Sequence, residues 1–129
     1  MSASQTNMGV GNTATLATST PTAILTSDAI AHNSAGRLAS LVAARRVSDG
    51  ASKVFALEAG FKCDDEGVIS VFGVTLLNPL GTTLDLLALS SVNVTIDSSD
   101  DTLQVIAVGI NGQTIDWSAN LTGLTVDHA

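Results

Sequence analysis

The stretch Gln113-Thr114-Ile115-Asp116-Trp117-Ser118-Ala119-Asn120-Leu121 alternates apolar and polar residues almost without a break. Successive side chains of a β-strand point to opposite faces. One face would therefore carry the apolar set and the other the polar set: Ile115, Trp117, Ala119 and Leu121 against Thr114, Asp116, Ser118 and Asn120. This pattern predicts an antiparallel strand that is buried on one face and solvated on the other.

A turn signal lies directly before this strand. Asn111-Gly112 separates it from a second β-rich run, Leu103-Gln104-Val105-Ile106-Ala107-Val108. Asn and Gly tolerate the two positive φ angles of a type I′ turn, which joins neighbouring antiparallel strands. The sequence therefore predicts a hairpin between the two runs.

Further strands are predicted upstream by the same alternation. Val92, Val94 and Ile96 share one parity, and turn-forming residues follow them. A second hairpin is predicted from the apolar parity of 55–61, the acidic loop 64–67 and the run 68–74. This last run is apolar on both faces, which is typical of a central or an interface strand.

Two segments, 36–47 and 84–89, fit a helical period as well as a strand. Local pattern leaves both possibilities open there. The remaining segments favour short strands and turns, so we expect an all-β fold: an antiparallel β-sandwich, jelly-roll-like, forming one domain over residues 21–129. Residues 1–20 hold few large apolar groups and are predicted to form a flexible N-terminal arm.

The charge balance argues against nucleic acid as a partner. Five Lys and Arg stand against twelve Asp and Glu, which gives a formal charge of −7, whereas a phosphate backbone is held by clustered cations. No apolar run approaches the ~20 residues that cross a bilayer, so no membrane partner is expected. The single cysteine, Cys63, cannot close an intrachain disulfide.

Groups that support catalysis are scarce in this sequence. The two histidines are His32, in a polar stretch, and His128, next to the C-terminus. The acidic clusters 64–66 and 97–101 could offer oxygen ligands to a hard cation, but neither has the spacing of a calcium loop. We predict no enzyme, no cofactor and no metal site; a small metal-dependent enzyme using the acidic loops is kept as an alternative.

The C-terminal third resembles a β module of tailed-bacteriophage virion structural proteins. The resemblance is carried by the run 101–109, by Gln113-Thr114-Ile115-Asp116-Trp117 and by the strand that continues to Val126. Upstream features around 15–28, 41–46 and 81–83 are similar too. It spans residues 13–127 and implies a building block of the virion, of the capsid decoration or fibre-like kind. It also favours strand over helix at 41–46.

The function predicted from these features is that of a capsid decoration (cement) protein. Such a homotrimer would bind the major capsid protein on the outer capsid surface of a virion assembled in the host cytoplasm. Its arm would add a strand to an exposed sheet edge of the capsid subunit. The residues predicted to bind the capsid are Ser4, Gln5, Thr6, Asn7, Met8 and Val10. The alternative is a tail or head-fibre module that contacts the host surface.

A subunit interface is predicted from apolar surface that the core of the chain would leave exposed, and from two adjacent arginines. A strand with two apolar faces offers area that self-association would bury. An arginine pair could bridge to the carboxylates of a neighbouring subunit. The predicted interface residues are Arg45, Arg46, Val71, Phe72, Leu84 and Leu86.

Overall fold

The computed structural model describes residues 2–77, 89 and 91–127. These residues form eight strands and no helix, so none of them lies in a helix that could cross a membrane. The strands are β1 (Ser2–Leu16), β2 (Thr22–Thr26), β3 (Ser34–Arg46), β4 (Ser52–Cys63), β5 (Ile69–Leu77), β6 (Asn93–Ser99), β7 (Thr102–Val108) and β8 (Ile115–Asp127).

The strands form two antiparallel sheets. The large sheet has the order β1-β8-β3-β4-β5 and the small sheet has the order β2-β7-β6. β1 pairs with β8 and β2 pairs with β7, so in each sheet an N-terminal strand lies beside a C-terminal strand. The predicted all-β sandwich is confirmed.

The core lies between the inner faces of the two sheets, and the alternation of 113–121 sets its centre. All four apolar residues of that stretch, Ile115, Trp117, Ala119 and Leu121, are 3% exposed or less. The Trp117 ring stacks on Phe55 of β4, with centroids 6.4 Å apart and planes 19° apart. Val94 and Ile96 of β6, and Val92 just before that strand, complete the core opposite the large sheet, as their parity predicts.

The hairpin predicted around the acidic loop is confirmed as β4 and β5. Phe55, Leu57, Ala59 and Phe61 point inward and are buried. Among the described strands, β5 lies at the edge of the large sheet, which excludes a central position for it; the alternative of an interface strand stays a prediction. In the ambiguous segment 36–47, the residues up to Arg46 belong to strand β3, whereas 84–88 falls outside the described residues.

The hairpin predicted at Asn111-Gly112 is wrong, although a turn does form there. Gln113 N donates to Ile110 O at 3.1 Å, and φ is positive at Gly112 but not at Asn111, so the turn is not type I′. It joins β7 of the small sheet to β8 of the large sheet. Both strands have one buried face because they face each other across the core, and a hairpin would show the same alternation.

The corner between β7 and β8 is held by the link between β1 and β2. Gly112 N donates to Ala17 O at 3.1 Å, and Asn111 Oδ1 accepts from Ser19 N at 2.9 Å. The β1–β2 connection and the β7–β8 connection both pass from one sheet to the other here. The Asn111 side chain therefore holds the two connecting segments together.

Residues 2–16, which belong to the predicted arm, form β1 along the edge of the large sheet. Their backbone pairs with β8 from Ser2↔Asp127 to Leu16↔Ile115. The register shifts twice, between Asn7 and Gly9 and between Gly9 and Asn12. The division into a 1–20 arm and a 21–129 domain stays a prediction.

Candidate interaction surface

The outer face of the large sheet carries five of the nine exposed large apolar side chains of the described residues. We define the outer face as the outward-pointing residues of β1, β8, β3, β4 and β5. Five large apolar side chains on it are between 38% and 57% exposed: Leu41, Val54, Phe72, Leu124 and Val126. A sheet face that meets only water normally carries polar residues at these positions, so this composition is typical of a surface that another protein covers.

Phe72, on the outer face, packs against a glycine in the neighbouring strand. It lies opposite Gly60 of β4, and its ring covers the backbone where that residue has no side chain. A register shift follows at once, with Gly73 at φ 65°, and this bulge turns the rest of the edge strand. The Phe72 side chain is still 54% exposed.

Small outward residues leave shallow depressions on the outer face. The central strand β3 presents Ala39 and Ala43 between longer neighbours. A depression of about 580 Å³ lies beside Asp116, one of about 420 Å³ lies beside Leu41, and one of about 280 Å³ lies at the Arg37–Glu58 pair. The outer face thus alternates projecting apolar side chains with hollows.

Most charges on the outer face have partners within the chain. Arg37 forms an ion pair with Glu58, and Thr15 Oγ1 donates to Asp116 Oδ1 at 2.7 Å. Arg45 lies beside Asp116 in the register of β3 and β8, but its guanidinium is turned toward Gly50. Within the described part of the chain it forms no ion pair.

Arg46, predicted with Arg45 as an interface residue, is bound inside its own chain. Its Nε and Nη2 donate to the two carboxylate oxygens of Asp49 at 2.9 and 2.5 Å, and its Nη1 donates to Gln113 Oε1 at 2.8 Å. The hydrogen bonds from Arg46 hold the pKa of Asp49 at about 2. This fork fastens the β3–β4 turn to the segment before β8.

The remaining predicted interface residues do not share one environment in the structure. Phe72 lies on the outer face with Arg45, whereas Val71 is half-buried and packs against the core. Leu84 and Leu86 fall outside the described residues. The interface assignment itself stays a prediction, as does the capsid-binding role of the residues that β1 contains: Ser4, Gln5, Thr6, Asn7, Met8 and Val10.

The sequence interpretation missed Leu41, Val54, Leu124 and Val126. Leu124 and Val126 stand at the parity that holds Asp116 and Ser118 earlier in the same strand. An apolar residue at a solvent-facing parity was therefore the available signal. Leu41 required the structure, because the β3 segment could not be distinguished from a helix.

The acidic loops gather at one end of the sandwich. Ile30 N donates to Asp101 O at 2.8 Å, and Asn33 N donates to Asp64 O at 3.1 Å, which joins the β2–β3 link to the two acidic turns. Burial raises the pKa of the nearby Cys63 thiol, and the charges of Asp64 and Asp101 raise it further. No group of three or more His, Cys, Asp or Glu among the described residues is arranged to hold a metal ion.

His32 lies at this acidic end as an exposed loop residue. Its Nδ1 is 3.2 Å from Asp65 O, and its ring lies against Gly67. These contacts tie the β2–β3 link to the β4–β5 loop, which is a structural use of the ring. His128 falls outside the described residues.

Comparison with known proteins adds two distant structural similarities. No family model matches the chain, and no curated protein matches it. The chain is similar to the tailspike protein of Acinetobacter baumannii phage AM24, with 11% identity and a TM-score of 0.45, over 95% of this chain and 27% of that one. It is also similar to the tailspike protein of Acinetobacter phage vB_ApiP_P1, with 20% identity and a TM-score of 0.35, over 98% and 22%.

The chain thus spans about a quarter of the length of either tailspike chain. TM-scores this low do not define a common fold.

Proposed function

We propose that this chain is a non-enzymatic structural module of a tailed-phage virion, placed in the tail or a head fibre, and that it works by packing against neighbouring protein. The observation that carries the assembly role is the outer face, where five large apolar side chains stand in water on one sheet. The phage assignment is supported by the sequence resemblance over residues 101–126.

The geometry of β1 favours a tail or fibre module over capsid decoration. In the decoration mechanism, residues 1–20 add a strand to the edge of a capsid subunit. In the structure, Ser2–Leu16 already pair with β8 of the same chain. The arm would have to give up these backbone hydrogen bonds before it could bind elsewhere, and each one lost without replacement costs about 1 kcal/mol.

Quantitative mass spectrometry of purified virions, with heads and tails separated, tests this proposal. We expect a handful of copies per particle, in the tail fraction for a tail module or in the head fraction for a head fibre. Hundreds of copies in the head fraction would support capsid decoration instead. Absence from both fractions would contradict a virion role altogether.

A further inference from the structure

We infer that the outer face is where a second copy of this chain binds, with the two large sheets packed face to face. This inference deepens the proposed function, and rests on it, because it names the first neighbour in the assembly. It is argued from the area of the outer face, from its charge and from its relief.

The area of the outer face matches what a stable protein interface buries. β3 has 13 residues and the sheet has five strands. With about 3.3 Å per residue and about 4.8 Å between strands, the face measures about 43 by 24 Å, or about 1,000 Å². A stable interface buries about 800 Å² on each partner, so the face is large enough to hold a protein.

The charge of the outer face favours another copy of the same chain. Three of the chain's five cations, Arg37, Arg45 and Lys62, point outward there, together with the carboxylates Glu58 and Asp116. The face is therefore almost neutral, although the whole chain carries −7. The other carboxylates with described side chains lie elsewhere, at Asp28, Asp49, Asp64, Asp65, Glu66, Asp97, Asp100 and Asp101.

Two copies of so acidic a chain repel each other through most of their surfaces. The outer face is where this repulsion is weakest. Burying the outer face in a contact would also leave few charges without a partner, since Arg37 is paired with Glu58 and Asp116 accepts a hydrogen bond from Thr15. The unpaired Arg45 would bring a cation to the carboxylates of the partner copy.

The relief of the outer face suits a self-complementary contact. Leu41 projects from the middle of β3, and hollows of about 420 and 280 Å³ lie on either side of it along the strand. In a two-fold interface the same patch serves both partners. Leu41 of each copy can then enter a hollow of the other.

Analytical ultracentrifugation of the full chain, across a micromolar concentration series, tests the inference. The test variants are Leu41→Glu and Leu124→Glu, and the matched control is Val68→Glu. Val68 is 58% exposed against 57% for Leu41, but it lies in the β4–β5 loop, away from the outer face. The Trp117 emission maximum and the thermal midpoint of each variant show that it is folded.

The wild type is expected to self-associate. Leu41→Glu and Leu124→Glu each raise the dissociation constant by about a hundredfold, because a carboxylate enters a contact that offers it no partner. Val68→Glu leaves the constant unchanged. A monomeric wild type overturns the inference, and so does an association that survives both outer-face variants or that Val68→Glu weakens equally.

The virion measurement separates the inference from the proposed function. A self-associating chain that is absent from particles contradicts the proposed function and leaves the outer-face contact standing. A monomeric chain found in the tail fraction supports the proposed function and contradicts the outer-face contact.

Discussion

The ring of Phe72 lies so close to the backbone of Gly60 that a Cβ built on Gly60 would stand 2.3 Å from Phe72 Cε2. An aromatic residue on one strand thus covers a glycine on the next, which shields backbone that would otherwise face water. A second glycine, Gly36 of β3, is also confined, because its Cβ would stand 2.2 Å from the Leu124 carbonyl oxygen. The two sites differ in what would have to move.

Alanine at these two glycines is expected to give unequal losses of stability. Phe72 is exposed and its ring can rotate away, so Gly60→Ala costs about 1 kcal/mol, whereas Gly36→Ala must displace strand backbone and costs about 3 kcal/mol or more. Urea unfolding followed by the fluorescence of Trp117, the chain's single tryptophan, measures both. Equal losses would contradict the assignment of the obstacle to a side chain in one case and to backbone in the other.

Ser40 replaces part of the backbone pairing between β3 and β8. The paired positions pass from Ala39↔Thr122 to Val42↔Ala119, and in the gap Ser40 Oγ donates to Asn120 O at 2.6 Å. Ser40 is 1% exposed. Ser40→Ala would leave that carbonyl without its donor, at a cost of about 1–2 kcal/mol.

The control for Ser40→Ala is Ser118→Ala, an exposed position on the outer face of the same sheet. Its effect on the free energy of unfolding should stay within about 0.5 kcal/mol. Urea unfolding of the three proteins side by side gives the comparison. A Ser40→Ala protein as stable as the control would show that the hydroxyl is not needed for the pairing.

The sequence predicted the strands well and their partners less well, for a physical reason. The run Leu103–Val108 was predicted as a strand and Ile115–Leu121 as a strand with one buried face, and both predictions are confirmed. Alternation does not report which sheet a strand joins, because strands that face each other across a core and strands that pair side by side share the same pattern. The error at Asn111-Gly112 follows from this ambiguity.

The candidate surface was only partly predictable for a related reason. Phe72 was found because apolar residues on both faces of a strand are visible in the sequence. Leu41, Val54, Leu124 and Val126 became one surface with it only through the strand order β8-β3-β4-β5. Contacts between strands distant in the chain determine that order, and local pattern contains no information on them.

The Arg46–Asp49 pair predicts a specific loss of stability in acid. Arg46 lowers the pKa of Asp49 from an ordinary 3.8 to about 2. A folded-state pKa below the unfolded value means that the unfolded chain binds more protons in this interval. The pair therefore stabilises the fold fully above about pH 4, and this contribution is lost as the pH falls toward about 2.

Asp49→Asn removes this pH dependence. The difference in urea midpoint between wild type and Asp49→Asn should be largest near neutral pH and should shrink between about pH 4 and 2. Asp28→Asn, at an exposed acid of the β2–β3 link, serves as the control. A difference that stays constant over this interval would show that the carboxylate of Asp49 does not titrate as the geometry requires.

Cys63 is expected to react slowly with thiol reagents while the chain is folded. The residue is 3% exposed, and burial together with Asp64 and Asp101 raises the pKa of its thiol, which lowers the fraction of reactive thiolate. With Ellman's reagent at neutral pH, the native chain should react at least about a hundredfold more slowly than the urea-unfolded chain, since reaction requires opening of the β4 end. The control is a Cys63→Ser, Val68→Cys double variant, whose thiol would stand in the exposed loop nearby and react at similar rates in both states. Native Cys63 reacting as fast as this control would mean that the strands around it open readily, and that the acidic end of the sandwich is not closed in solution.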